Sequence, residues 1–123
     1  MFQMVLLASM LLPLHNAERD KHSIVALKED SDLMKFAQSH ADWMASNRRL
    51  QHQNLGKIRG NWRIRGENIA SGQTSESGVM RSWMRSSGHR ANILNRRYTH
   101  MGFGAAKSKG GRLYWCVVFG GRK

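Results

Sequence analysis

The segment Leu113-Tyr114-Trp115-Cys116-Val117-Val118-Phe119 constrains the fold more than any other stretch of the chain. Side chains alternate across an extended strand, so Leu113, Trp115, Val117 and Phe119 point one way and Tyr114, Cys116 and Val118 the other. Both faces are apolar. Such a strand must lie between two covering layers, and helices are expected above and below its sheet. Met101 to Ser108 reads as its partner, joined through the glycine turn Lys109-Gly110-Gly111-Arg112 as a hairpin. Gly102 and Gly104 in the partner strand leave room for a helix or loop to approach its backbone. The expected fold is α+β, a three-layer α-β-α sandwich with a central, mainly antiparallel sheet.

Three helical segments can supply the outer layers. The first runs from about Leu14 to Ala26, with Pro13 suited to its first turn. The second runs from about Ser31 to Ser46. Asp30, Ser31 and Asp32 provide a cap and early negative charge, and Leu33, Phe36, Ala37, His40, Ala41 and Met44 recur at helical spacing. The third spans Glu76 to Arg85 with Val79, Met80, Trp83 and Met84 on one face; Ser86-Ser87-Gly88 breaks it, and one further turn follows at Ala91 to Leu94. From Leu50 to Arg65 the pattern dissolves into Gly, Asn, Gln and Arg, which reads as a long loop.

A chain of 123 residues is one domain and long enough to hold a core without disulfide staples. The domain is expected to span residues 11–120. The single cysteine, Cys116, excludes an intramolecular disulfide framework and a cysteine-based zinc finger; inside an apolar strand it reads as a small buried hydrophobe. Residues 1–10 form an apolar segment, a degenerate secretion signal or the start of the first helix. The run Met4 to Leu14 is too short to span a bilayer and lacks a basic leader.

The formal net charge of +12 attracts polyanions. The basic residues come in small groups rather than one tract, which reads as a solvated basic surface and not a dedicated nucleic-acid site. Chemistry concentrates in two strings, Gly66-Glu67-Asn68-Ile69-Ala70 and Gly88-His89-Arg90-Ala91-Asn92-Ile93-Leu94, each placing a proton-handling side chain after a glycine where the backbone can bend. His52 is a third candidate. Two neutral imidazoles suit zinc, copper or nickel, and a carboxylate serves as third ligand or as base for a bound water. These residues lie too far apart for a local helical motif, so only the fold can assemble them. His40, on the apolar face of the second helix, reads as a packed, hydrogen-bonded histidine, and His15 and Asn16 as structural helix residues. Trp83, Trp115 and Phe119 read as core. Trp62, among Arg59, Arg63 and Arg65, is a candidate to stack on a ligand ring or bind an acidic ligand.

At these residues the chain resembles the bacterial, SCP-like branch of the CAP superfamily, which groups the cysteine-rich secretory proteins, antigen five and the pathogenesis-related proteins. The resemblance rests on Leu14-His15-Asn16-Ala17-Glu18-Arg19, His40-Ala41, the two glycine-led strings, Trp83-Met84, and Tyr114-Trp115 through Phe119-Gly120, in the family order. It implies the same sandwich and a central cleft where two histidines and acidic residues meet, binding zinc or another divalent ion in some members. By motif, His52 is the first histidine, Glu67 the first acid and His89 the second histidine. Ser86 stands where eukaryotic members carry a second glutamate, so one acidic member is missing.

The resemblance also implies a secreted protein. The expected function is an extracellular ligand-binding module for a lipid, sterol or cell-envelope component, monomeric and non-enzymatic. A zinc-dependent hydrolase using Glu67 as base and a basic polyanion-binding protein are the alternatives.

Overall fold

The structure is a computed structural model and describes residues 8–122. The elements are α1 (Leu11–Asp20), β1 (Lys28–Glu29), α2 (Ser31–Asn47), a short 3-10 turn (Leu55–Lys57), β2 (Ile64–Ser71), α3 (Glu76–Met84), α4 (Ser87–Ile93), β3 (His100–Lys107) and β4 (Leu113–Gly121). The strands form one sheet in the order β1-β3-β4-β2, in which only the β1–β3 pairing is parallel.

β4 is buried at all nine positions, and its alternation sorts the core as the sequence predicts. Tyr114, Cys116 and Val118 pack with Leu33, Ala37, Ala41 and Met44 of α2. Leu113, Trp115, Val117 and Phe119 pack on the opposite side with Leu11, Val79, Met80, Trp83 and Ile93, from α1, α3 and α4. Burying each large apolar side chain contributes roughly 1.5–3 kcal/mol, so a strand embedded on both faces anchors the whole domain. The helix α2 lies directly on β3. A Cβ on Gly102 would collide with the Leu33 carbonyl, and one on Gly104 would lie 2.5 Å from the Gln38 Cα, so both glycines are required for this approach.

The ends of α2 follow local chemistry. The Asp30 carboxylate accepts from the Leu33 amide at 3.0 Å, and Arg48 closes the helix in the left-handed region at φ 52°. The first helix, by contrast, stops at Asp20 rather than near Ala26. Arg19, fully buried, donates to the carbonyls of Val25, Ile93, Asn95 and Tyr98 at 2.9–3.1 Å. Asn16 pairs in both directions with the Leu27 backbone. Arg19 and Asn16 thus hold the Val25 carbonyl and the Leu27 backbone, so the chain after Asp20 is fixed by side-chain bonds rather than by further helix. Of the apolar N-terminal run, residues 1–7 lie outside the described residues; Leu11 to Leu14 begin α1.

Two strands escape the sequence reading. β1 is too short to carry a pattern, and β2 occupies the end of the predicted loop together with the whole Gly66–Ala70 string. Gly66 is therefore not a bend. It sits in a strand opposite Phe119, where an added Cβ would strike the Tyr98 hydroxyl. Gly88 is likewise inside α4, which begins immediately after α3 instead of waiting for Ala91.

Candidate functional site

The polar centre is assembled from β2, the loop before it and the start of α4. Glu67 pairs in register with Val118, and its side chain is only 1% exposed. A buried carboxylate is tolerated only when its lone pairs are satisfied. Here Oε1 accepts from His52 Nδ1 at 2.8 Å and from the Gln53 amide at 3.3 Å. Oε2 accepts from Gln53 Nε2 at 2.6 Å and from the Cys116 thiol at 3.6 Å. Burial pushes the Cys116 thiol well above its usual range, and the neighbouring Glu67 carboxylate adds to that shift. The thiol is therefore a proton donor to Glu67 and not a nucleophile.

His52 sits above this carboxylate with its side chain 63% exposed. Donation from Nδ1 to Glu67 selects the tautomer in which Nε2 carries the lone pair. The second histidine is organised differently. Ser86 is the N-cap of α4, yet its hydroxyl makes no bond to a helix amide. It meets Nδ1 of His89, the third residue of the helix, at 2.9 Å. Burial lowers the pKa of His89, and repulsion from His52 lowers it further, which places the two imidazoles in the same electrostatic neighbourhood. Among the described residues neither Nε2 has a protein hydrogen-bond partner.

The two asparagines of the glycine-led strings join these pieces. Asn92 Nδ2 donates to the Glu67 carbonyl at 3.2 Å and to Asn68 Oδ1 at 2.9 Å, while Asn68 Nδ2 donates to the His89 carbonyl at 3.1 Å. The strand bearing Glu67 and the helix bearing His89 are thereby locked together through the sheet edge.

The sequence candidates thus separate. His52 and Glu67 are in direct contact, and Ser86 and His89 form a second pair beside them. Trp62 is not open to a ligand. It is 5% exposed, its Nε1 donates to the Arg59 carbonyl at 3.0 Å, and the Arg122 guanidinium covers its ring at 4.2 Å. A Cβ on Gly120 would enter the same ring, which explains why a tryptophan so rich in arginine neighbours is nonetheless internal. His40 is packed, as expected, with Nε2 on the Gln51 carbonyl and its ring stacked on Trp43.

Sequence reasoning missed Gln53 and Cys116 as partners of Glu67. Gln53 adjoins His52, which was a usable signal; Cys116 reaches Glu67 only through the β2–β4 register, which no local pattern reveals.

Both imidazoles are oriented by a partner on Nδ1, the arrangement found behind metal-ligating histidines, so their donor chemistry fits a divalent ion. Both Glu67 oxygens are engaged, and among the described residues no group of three or more His, Cys, Asp or Glu side chains is arranged around a metal position. No helix among them is long and apolar enough to cross a membrane.

The family model described as "CAP: Cysteine-rich secretory protein family" matches residues 12–119. YkwD of Bacillus subtilis (strain 168) is 38% identical over 104 residues, covering 77% of this chain and 40% of YkwD. The chain therefore spans well under half of that relative. An outer surface protein of Borrelia burgdorferi superposes with a TM-score of 0.83 at 24% identity, over 94% of this chain and 92% of that one. An extracellular, SCP-domain-containing protein from Bacillus anthracis str. Ames superposes with a TM-score of 0.79 at 24% identity, over 93% and 40% of the two chains.

Proposed function

This chain belongs to the CAP, or cysteine-rich secretory protein, family, and on that premise we propose that it is an extracellular binding module whose cleft is organised by His52 and His89. The extracellular and outer-surface descriptions of its structural neighbours support that placement. The ligand class proposed is a lipid or cell-envelope component, with a divalent cation, zinc first, as the group that the two histidines would hold.

The observation that carries this reading is the shared design of the two imidazoles. Each engages Nδ1 with an internal partner, Glu67 or Ser86, and each leaves Nε2 as the remaining donor. When bound, the cation would supply a Lewis-acidic anchor for an oxygen-bearing ligand. Glu67 holds the His52 ring and its tautomer. Ser86 orients the His89 ring in place of an acid. The lowered pKa of His89 keeps that imidazole neutral, and so competent as a ligand, to a more acidic pH than an ordinary histidine.

A hydrolase reading would need Glu67 to accept a proton from water, but both of its oxygens already accept from His52, Gln53 and Cys116. Binding is therefore favoured over catalysis. Zinc titration of chelator-treated protein tests the reading. We expect a thermal upshift with zinc in the wild type that is lost in both His52→Ala and His89→Ala. A shift that survives in both variants, or no zinc response in the wild type, overturns it. A peptide-hydrolysis assay in which wild type turns over and Glu67→Gln does not would establish the enzymatic alternative.

A further inference from the structure

We propose that the C-terminal end of α2 and the loop leaving it form a surface that docks on anionic lipid bilayers, independently of what the cleft binds. Trp43 and Leu50 would lie at headgroup depth, and Arg48 and Arg49 would meet lipid phosphates.

Trp43 is the odd member of the four tryptophans. It is 38% exposed, whereas Trp62, Trp83 and Trp115 are exposed by 5% or less. Leu50 is 53% exposed. The two flank one anchor: the His40 ring stacks on Trp43 with centroids 5.6 Å apart and planes 9° from parallel, and its Nε2 holds the carbonyl of Gln51, the residue after Leu50. The Asn47 amide holds the Trp43 carbonyl at 2.8 Å, so the ring is presented from a braced helix end.

Between these apolar groups stand Arg48 and Arg49, both exposed. Among the described residues neither has an acidic partner. The nearest acid along the helix, Asp42, already accepts from Gln38 at 3.0 Å. The counter-charge must come from outside, and a chain carrying +12 repels a second copy of itself. An amphipathic ring, a branched aliphatic side chain and two uncompensated guanidinium groups on one rigid corner match the layered chemistry of an anionic membrane surface. There aromatic rings settle at the headgroups and basic residues at the phosphates. Because Gln51 leads directly to His52, this docking sets the rim of the cleft against the bilayer.

The test uses the whole chain with vesicles of phosphatidylcholine alone or mixed with phosphatidylglycerol, at physiological salt, followed by tryptophan emission and by quenching from brominated acyl chains. Binding to the anionic vesicles only, with a blue shift and quenching, is the expected result. Each arginine is expected to account for about fivefold in partitioning, so Arg48→Asn with Arg49→Gln weakens binding by roughly 25-fold. Leu50→Ser should remove the quenching. These side chains are exposed, so thermal melting should be unchanged and should certify that the variants fold. Anionic-vesicle binding unaffected by the double substitution overturns the proposal. So does binding without quenching, equal competition by a soluble inorganic polyphosphate, or a wild-type dimer that Leu50→Ser dissolves in sedimentation.

Discussion

Two sets of buried polar side chains occupy this molecule, and they put similar residue types to opposite uses. Inside the α1/α3/α4 layer, His15 and Arg19 are fully buried, and every hydrogen bond they make goes to a backbone carbonyl. At the edge strand β2, Glu67 is buried as deeply, but its partner His52 reaches solvent, and His89 stands nearby on the Ser86 hydroxyl. In the first set the donors are consumed in holding α1, the turn after it and the approach to β3 together. Rings of both sets leave Nε2 without a protein partner, but that of His15 is enclosed in the core, whereas the rings of the second set, His52 and His89, are exposed and half-buried. Chemical type does not distinguish a structural histidine from a poised one; whether the ring is sealed in the core or reaches solvent does.

The sharpest way to break that contrast is at Arg19. Arg19→Met nearly keeps the volume but removes the donor from the buried carbonyls of Ile93 and Tyr98 and from the part-buried carbonyl of Val25. Asn95 keeps its bond from the Tyr98 amide, and the expected loss is about 2–4 kcal/mol in denaturant unfolding. A loss below about 1 kcal/mol would mean that solvent reaches those carbonyls after all.

His15 provides the next largest effect. Burial, between the rings of Trp83 and Phe119, lowers its pKa from 6.5 to about 4, although the bond to the Leu11 carbonyl acts in the other direction. The folded state therefore favours the neutral ring. Its contribution is fully present above pH 6.5 and is lost as pH falls from there towards 4, amounting to about 3 kcal/mol in total. Urea midpoints measured at pH 7 and pH 4 should diverge less in His15→Gln than in the wild type. Parallel pH dependences in the two proteins would locate the acid sensitivity elsewhere.

At the open site the expected structural effects are smaller. Glu67→Gln turns an acceptor towards solvent-facing His52 and buried Cys116 into a mixed donor, costing about 1–3 kcal/mol. If the cation reading holds, it also weakens zinc binding by about 10–100-fold while both ligands remain. Ser86→Ala should cost least, roughly 0.5–1 kcal/mol, because the hydroxyl caps no amide and loses only its bond to His89. Calorimetric zinc titration of Ser86→Ala should show a measurable fall in affinity; an unchanged value would make the Ser86–His89 contact incidental.

The layered fold was legible because its central strand carries one unambiguous pattern. β4 alternates between two apolar sets, and each set met its own layer of helices. β2 was illegible for the converse reason. Its inward positions include Glu67 and Asn68, so the residues that make the site erase the hydrophobic alternation that would announce a strand. The end of α1 was misjudged because side chains of Asn16 and Arg19 override local propensity through bonds to the chain that follows.

By itself the sequence determined the α-β-α layering, the hairpin, the room for a helix or loop over Gly102 and Gly104, and the family to which the chain belongs. Each is written in spacing or in contiguous strings that need no distant partner to be read. Only the tertiary structure decided that Glu67 is saturated by His52, Gln53 and Cys116, that Trp62 is sealed beneath Arg122, and that Trp43 is the tryptophan left facing outward. Those outcomes depend on strand register and on which surfaces meet. Such long-range contacts are settled by the packing of the whole chain and are absent from any local window of it.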